Sequence, residues 1–149
     1  MLFRSLQALG CEGKELIAYG YLASMVASQC VKKTTTGCDG KPELLHLLDR
    51  TGKQLPVKNH CRFCYNTIYN TSPLSFLGLE KEVLRLNPLV LRLQFTIETR
   101  ADADNILNAY ISRLKQNSPS VGRQSGVDGE DAVNPIRDFT RGHFKRGIE

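Results

Sequence analysis

The sequence predicts an α/β fold, and three stretches carry that prediction. Residues 89–96, Leu-Val-Leu-Arg-Leu-Gln-Phe-Thr, form the strongest strand pattern in the chain. Residues 101–115 follow with Ile106, Leu107, Tyr110, Ile111 and Leu114 at helical spacing. Upstream, Glu15-Leu-Ile-Ala-Tyr19 is a short apolar run between Gly13 and Gly20, the pattern of a buried strand. Strand, turn and helix in alternation is α/β grammar. A parallel strand buried on both faces needs neighbours, and no segment upstream of residue 15 can supply them.

The remaining elements are read in chain order. Residues 3–9 look like the end of a helix stopped by Gly10. Residues 21–29 are a short helix or a loop, with Leu22, Met25 and Val26 as a small apolar face, and residues 31–43 are a loop. Residues 44–57 read as a hairpin whose turn, Asp49-Arg50-Thr51-Gly52, is closed by Gly52. Pro56 has no N–H and belongs at an edge or on a non-bonding side of its strand. Residues 64–69, rich in aromatic and β-branched types, extend the sheet. Residues 79–86 are a short helix with Glu80 and Glu82 at its start and Arg85 at its end, as the helix dipole favours, and Asn87-Pro88 ends it.

Residues 117–135 are Ser, Gly, Asp, Asn and Pro with few apolar types, the composition of a mobile linker. The expected organisation is therefore residues 1–116 as one folded portion, 117–135 as linker and 136–149 as a basic, aromatic tail. No internal repeat is present.

Composition narrows the function classes. The chain has 149 residues, 41% of them hydrophobic, and a net charge of +5, too mild a basic bias to name nucleic acid by itself. No apolar run is long enough for a membrane span and no secretory signal pattern opens the chain, which points to a cytoplasmic protein. Five cysteines, an odd number in such a chain, point to metal binding or reactive thiols before a disulfide scaffold. No Ser-His-Asp order, Gly-rich phosphate loop, HExxH or dinucleotide fingerprint occurs.

Cys61 and Cys64 form a Cys-x-x-Cys pair, and Cys30 and Cys38 flank a Lys/Thr/Gly loop. Thiolates at these spacings can turn to one centre, and four of them suit tetrahedral zinc or an iron–sulfur cluster. The competing reading is scattered buried cysteines that behave as small apolar groups, which Cys11 fits well, or inert or disulfide-linked thiols at the other four positions. A thioredoxin-like redox role fits poorly, because Tyr65, Thr67, Ile68 and Tyr69 favour extended structure after the motif.

Other candidates are weighed individually. His60 is a metal ligand or a solvated loop histidine, and His46 belongs to the polar face of its strand. Asp49 and Arg50 form a turn with a local ion pair, or Arg50 binds an anion. Glu98 follows the strongest strand, where it is a substrate-site candidate or a helix-start neighbour. In the tail, Arg141, His143, Lys145 and Arg146 lie among Phe139 and Phe144, either as a disordered basic terminus or as a docked segment facing an anionic substrate.

Several stretches together resemble the collagenase-like peptidase family U32. They are Glu15-Leu-Ile-Ala-Tyr-Gly-Tyr-Leu-Ala-Ser-Met-Val, Gln29-Cys30, Leu48-Asp-Arg-Thr-Gly-Lys-Gln-Leu-Pro-Val57, and Cys61-Arg-Phe-Cys-Tyr-Asn-Thr-Ile-Tyr-Asn70 with Pro73-Leu74. The ending, Phe139-Thr-Arg-Gly-His-Phe-Lys-Arg-Gly-Ile-Glu149, continues the resemblance. It implies the C-terminal part of a TIM-type barrel with an appended small β/loop cysteine region, hence an incomplete barrel. Such a chain would be marginal alone, or completed by an N-terminal barrel portion on a partner chain.

The resemblance also implies an activity. The family is labelled peptidase, whereas relatives look like iron–sulfur proteins acting in hydroxylation of RNA bases or quinone precursors. It implies a 4Fe-4S cluster on Cys30, Cys38, Cys61 and Cys64. Cys30, Cys38 and Cys64 match the family's cysteine positions, and Cys61 stands in for one that relatives place earlier. RNA or a small aromatic molecule is then the substrate. The alternatives are a peptidase whose cysteines hold a structural zinc, and an inactive truncated product.

Overall fold

The computed structural model describes Ala8, Gly10, residues 13–117, Pro135, Ile136 and residues 138–142. Ala8 is helical. The rest of the helix expected at residues 3–9, together with Cys11, linker residues 118–134 and the tail from His143 onward, lies outside the described residues. The contacts divide the chain into two units, Tyr21–Pro73 and Met1–Gly20 with Leu74–Glu149.

The expected TIM-type barrel portion is not what forms. The described residues make seven strands and three helices, with the strands in two separate sheets of three and four, and neither sheet closes on itself. The architecture is β-rich. A barrel needs a crossover between each pair of neighbouring parallel strands. Here β3 (Leu44–Leu48), β4 (Gln54–His60) and β5 (Tyr65–Tyr69) are joined by the short loops 49–53 and 61–64, which permit only hairpins. The single parallel ladder between named strands is that of β1 (Glu15–Gly20) with β7 (Val90–Gln94).

In the unit that holds both ends of the chain, β1 is central, in the order β6-β1-β7. Its antiparallel partner is β6 (Leu74–Ser75), paired Tyr19↔Ser75 and Gly20↔Leu74. The neighbours that β1 requires thus come from downstream in the sequence. The core gathers Ala18, Tyr19, Phe76, Leu77 and Leu79 with Val83 of α2 (Glu80–Arg85) and Ile106 and Tyr110 of α3 (Arg100–Asn117). Helix α3 starts where expected because Thr99 Oγ1 accepts the Asp102 N–H at 3.2 Å and donates to the Asp102 carboxylate at 2.6 Å, a capping arrangement. Between β7 and α3 an open groove of about 360 Å³ is lined by Leu91, Leu93, Phe95, Leu107, Ile111 and Leu114.

Gly20 is required where β1 meets β7. It has φ +149°, and a Cβ there would stand 2.5 Å from the Gln94 carbonyl oxygen, a backbone atom that cannot yield without breaking the ladder. Gly20→Ala is expected to cost about 3 kcal/mol, read as a lower urea midpoint. An unchanged midpoint would contradict the close approach of the two strands.

The other unit, Tyr21–Pro73, is an antiparallel sheet in the order β2-β5-β4-β3. The expected hairpin is present, with Leu48↔Gln54 nearest the turn and Gly52 at φ +78°. Pro56 opposes His46 on β3, while the ladder from β4 to β5 begins only at Val57↔Ile68, so its missing N–H interrupts no bond there. Two local expectations change. Residues 23–27 form strand β2 (Ala23–Ala27), paired with β5, and residues 31–35, read as loop, form the short helix α1 (Val31–Thr35). Met25 and Val26 are β-capable residues that a short, largely exposed edge strand uses as readily as a helix would.

Candidate metal centre

The sheet of Tyr21–Pro73 brings the four cysteines to loops beyond the strand ends. Cys30 is buried and sits immediately before α1, and Cys38 is exposed just after it. Cys61 and Cys64 occupy the turn between β4 and β5, closed by the Phe63 N–H to His60 carbonyl bond at 3.0 Å. Cys64 has φ +53°, a left-handed backbone that a non-glycine residue rarely adopts. Its Sγ lies 3.7 Å from the Cys61 carbonyl oxygen. All four thiols are free.

Cys61 is the hub of this arrangement. Its thiol donates to the Lys41 carbonyl at 3.0 Å. Burial pushes its pKa above the usual thiol value, the neighbouring Cys38 and Cys30 charges push it the same way, and Lys32 partly offsets them. Three thiols therefore share one electrostatic neighbourhood. They are not converged: among the described residues no group of three or more His, Cys, Asp or Glu side chains stands ready to hold a metal ion.

The donor chemistry nevertheless fits a thiolate centre. Every donor is a free sulfur outside the strands, and the same sheet buries two asparagines with polar atoms that have no protein partner. Asn59 and Asn66 oppose each other across β4 and β5, at 1% and 0% exposure. Asn59 accepts the Glu43 N–H at 2.5 Å, and Asn66 donates to the Gln29 carbonyl, next to Cys30, at 2.6 Å. The Asn59 Nδ2 donor has no protein acceptor.

Lys32 is the charged counterpart of this cluster. Its side chain is 8% exposed, and its ammonium meets Asp39 at 2.6 Å and Glu43 at 2.9 Å. The hydrogen bonds it donates to Asp39 and then Glu43 hold its pKa well above the usual lysine value. The same bond from Lys32, followed by the Lys41 N–H, holds Asp39 below its usual range. Asp49 is also lowered, by Thr51 first and then the Lys53 N–H. Carboxyls depressed in the folded state contribute stability above 3.8 that disappears as pH falls through their folded values. Thermal melts of the metal-free chain are expected to lose midpoint below about pH 4, with a shallower loss in Asp39→Asn and Asp49→Asn. A flat profile would contradict these assignments.

The other sequence candidates are placed as follows. His60 stacks on Tyr65 with ring centroids 4.3 Å apart, and its Nε2 is 3.3 Å from Thr67 Oγ1, so it supports the hairpin. His46 is exposed on β3. Asp49 is spent on the N–H groups of Thr51 and Lys53 at 2.7 and 2.9 Å, which makes it a turn former. In the other unit, Glu98 accepts the Thr96 and Ile97 N–H groups at 2.6 and 3.0 Å, just ahead of α3. Arg141 donates to the Ser75 carbonyl at 2.9 Å and lies 4.5 Å over the Phe139 ring, in a part-buried position that lowers its pKa. His143, Lys145 and Arg146 lie outside the described residues.

Sequence reasoning missed Lys32, Asn59 and Asn66. For the asparagines a signal exists: each stands two residues outside the Cys61-x-x-Cys64 pair, and a period of two returns both to one sheet face.

Compared with protein-family models, curated proteins and solved structures, the chain matches none. No helix among the described residues is long and apolar enough to cross a membrane.

Proposed function

We propose that Cys30, Cys38, Cys61 and Cys64 hold a 4Fe-4S cluster, and that the chain acts, as a member of the collagenase-like U32 family, in oxidative hydroxylation of RNA or a small aromatic substrate in the cytoplasm. The observation that carries the reading is that four free thiols stand on loops of one unit, with Cys61 and Cys64 on one turn and the Cys61 thiol bonded at 3.0 Å to the Lys41 carbonyl of the loop that carries Cys38. When bound, the cluster would supply one-electron transfer. The protein's own part would be to present four thiolates on the turn at Cys61 and Cys64 and the segments flanking α1, with the Lys32 ammonium holding the loop that carries Cys38.

A substrate surface adjoins the knuckle. Phe63 is 68% exposed, the Arg62 guanidinium lies 5.5 Å from its ring centroid, and the Tyr65 ring, at the start of β5, is 6.4 Å away. An exposed aromatic ring beside a cation is the surface on which a base or another flat ring stacks. Residues 21–73 carry seven Lys and Arg against three Asp and Glu, which favours an anionic substrate such as RNA.

Anaerobic reconstitution with iron and sulfide tests the reading. About four iron and four sulfide per chain are expected, and stoichiometric zinc with no bound iron would replace the cluster by a structural staple. Peptide cleavage that survives replacement of all four cysteines would overturn the oxidative assignment in favour of the peptidase.

A further inference from the structure

Resting on the four-cysteine reading, we infer that Lys32 is the positioning residue of the centre, folding around its side chain the 36–43 loop that carries Cys38 and meets the Cys61 thiol at the Lys41 carbonyl. The loop is bound to Lys32 along its length. Lys32 carbonyl accepts the Thr36 and Gly37 N–H groups, both at 3.0 Å. Its ammonium then holds the Asp39 carboxylate at 2.6 Å, the Lys41 carbonyl at 3.5 Å and the Glu43 carboxylate at 2.9 Å. Gly37 and Gly40, at φ +89° and +74°, supply the reversals that let so short a segment encircle one side chain.

The same loop is joined to the knuckle at a single carbonyl. Lys41 oxygen receives both the Lys32 ammonium and, at 3.0 Å, the Cys61 thiol. Cys38 thus lies between two points fixed by Lys32, and one of those points touches Cys61. Without the ammonium, the Asp39 and Glu43 carboxylates lose the cation they share and repel each other. The far end of the loop is also held by buried Asn59, which accepts the Glu43 N–H at 2.5 Å, whereas Asp39 and the stretch that carries Cys38 are tied inward by the Lys32 ammonium, whose side chain is 8% exposed. A buried lysine between two cysteines of the sequence thereby acts on metal binding through Cys38, without touching the metal.

The test uses Co(II) alone as probe, titrated anaerobically into the full chain, with the sulfur-to-cobalt charge-transfer absorption as readout. The wild-type chain is expected to show four thiolate ligands. Lys32→Met is expected to bind about tenfold more weakly and to lose about a quarter of the charge-transfer intensity, the signature of three thiolates. Cys38→Ser should give the same spectrum. The double variant Lys32→Met/Cys38→Ser should lose nothing more, because both changes remove one ligand. Lys32→Arg, which keeps a cation, should restore most of the fourth ligand.

A four-thiolate spectrum in Lys32→Met would overturn the positioning role while leaving the cysteine centre intact. Loss of all cobalt binding in Lys32→Met, beyond that in Cys38→Ser, would show a general folding role and overturn it as well. Absence of thiolate binding in the wild-type chain would overturn the centre itself, and the role of Lys32 with it.

Discussion

Metal loading is expected to raise the melting midpoint of the wild-type chain, and the Cys61→Ser/Cys64→Ser chain is expected to show no such rise. The coupling follows from mass action: a ligand bound only by the folded state at a hundred times its Kd stabilises by about 2.7 kcal/mol. For a unit as small as Tyr21–Pro73 that corresponds to roughly 10–20 °C. The effect should be large because this unit has little else to hold it. Its sheet buries Val57, Ile68 and Tyr69, but two of its most buried side chains, Asn59 and Asn66, are polar. A bound metal would also favour the Cys61 thiolate, against the burial that pushes its pKa up. Differential scanning fluorimetry with and without metal checks this, and an equal rise in the serine variant would place the metal elsewhere.

The second large effect lies in the other unit, at Tyr110. Its hydroxyl donates to the Ala18 carbonyl at 2.7 Å, accepts the Phe76 N–H at 3.0 Å and lies 3.2 Å from Ser75 Oγ, all in buried surroundings. One phenol therefore ties α3 to β1 and to the chain leaving β6. Tyr110→Phe keeps the ring but removes the bridge from α3, while the Phe76 N–H keeps its own bond to the Ala18 carbonyl at 3.0 Å, so the expected loss is about 1–1.5 kcal/mol. Burial also pushes the Tyr110 pKa up, so the unfolded chain ionises first. Stability from this group is present below pH 10 and falls as pH rises above it. Urea unfolding at neutral and alkaline pH should show both the loss and, in Tyr110→Phe, a flatter alkaline slope. A midpoint within experimental error of wild type would contradict the network.

The local elements were more legible in the sequence than their assembly. The 44–57 hairpin announced itself through Gly52 and the alternation around it, and α3 through the spacing of Ile106, Tyr110 and Leu114. The α/β reading failed because periodicity says what each segment is and not which segment it pairs with. Residues 90–94 do run parallel to residues 15–20, as α/β grammar expects. The intervening strands, however, fold back on one another as hairpins, and the barrel does not form. Strand β2 was hidden because four of its five residues are exposed, which leaves no clear burial pattern to read.

The candidate centre shows the same division. Cysteine spacing named Cys30, Cys38, Cys61 and Cys64, because thiols are scarce and their separation is informative. Lys32 was illegible because a lysine in a polar loop is ordinarily solvated, and only the fold reveals that Asp39 and Glu43 close over it. Arg141 was legible as a special cation, but the Ser75 carbonyl and the Phe139 ring that hold it belong to the fold of the other unit.

The most direct measurement is the ultraviolet–visible spectrum of the anaerobically reconstituted chain beside five single serine variants, at Cys11, Cys30, Cys38, Cys61 and Cys64. A broad absorption near 400 nm, kept in Cys11→Ser and diminished in each of the other four, is the expected result. A colourless wild-type chain, or absorption that survives in the Cys30, Cys38, Cys61 and Cys64 variants, would contradict a cluster held by those four thiolates.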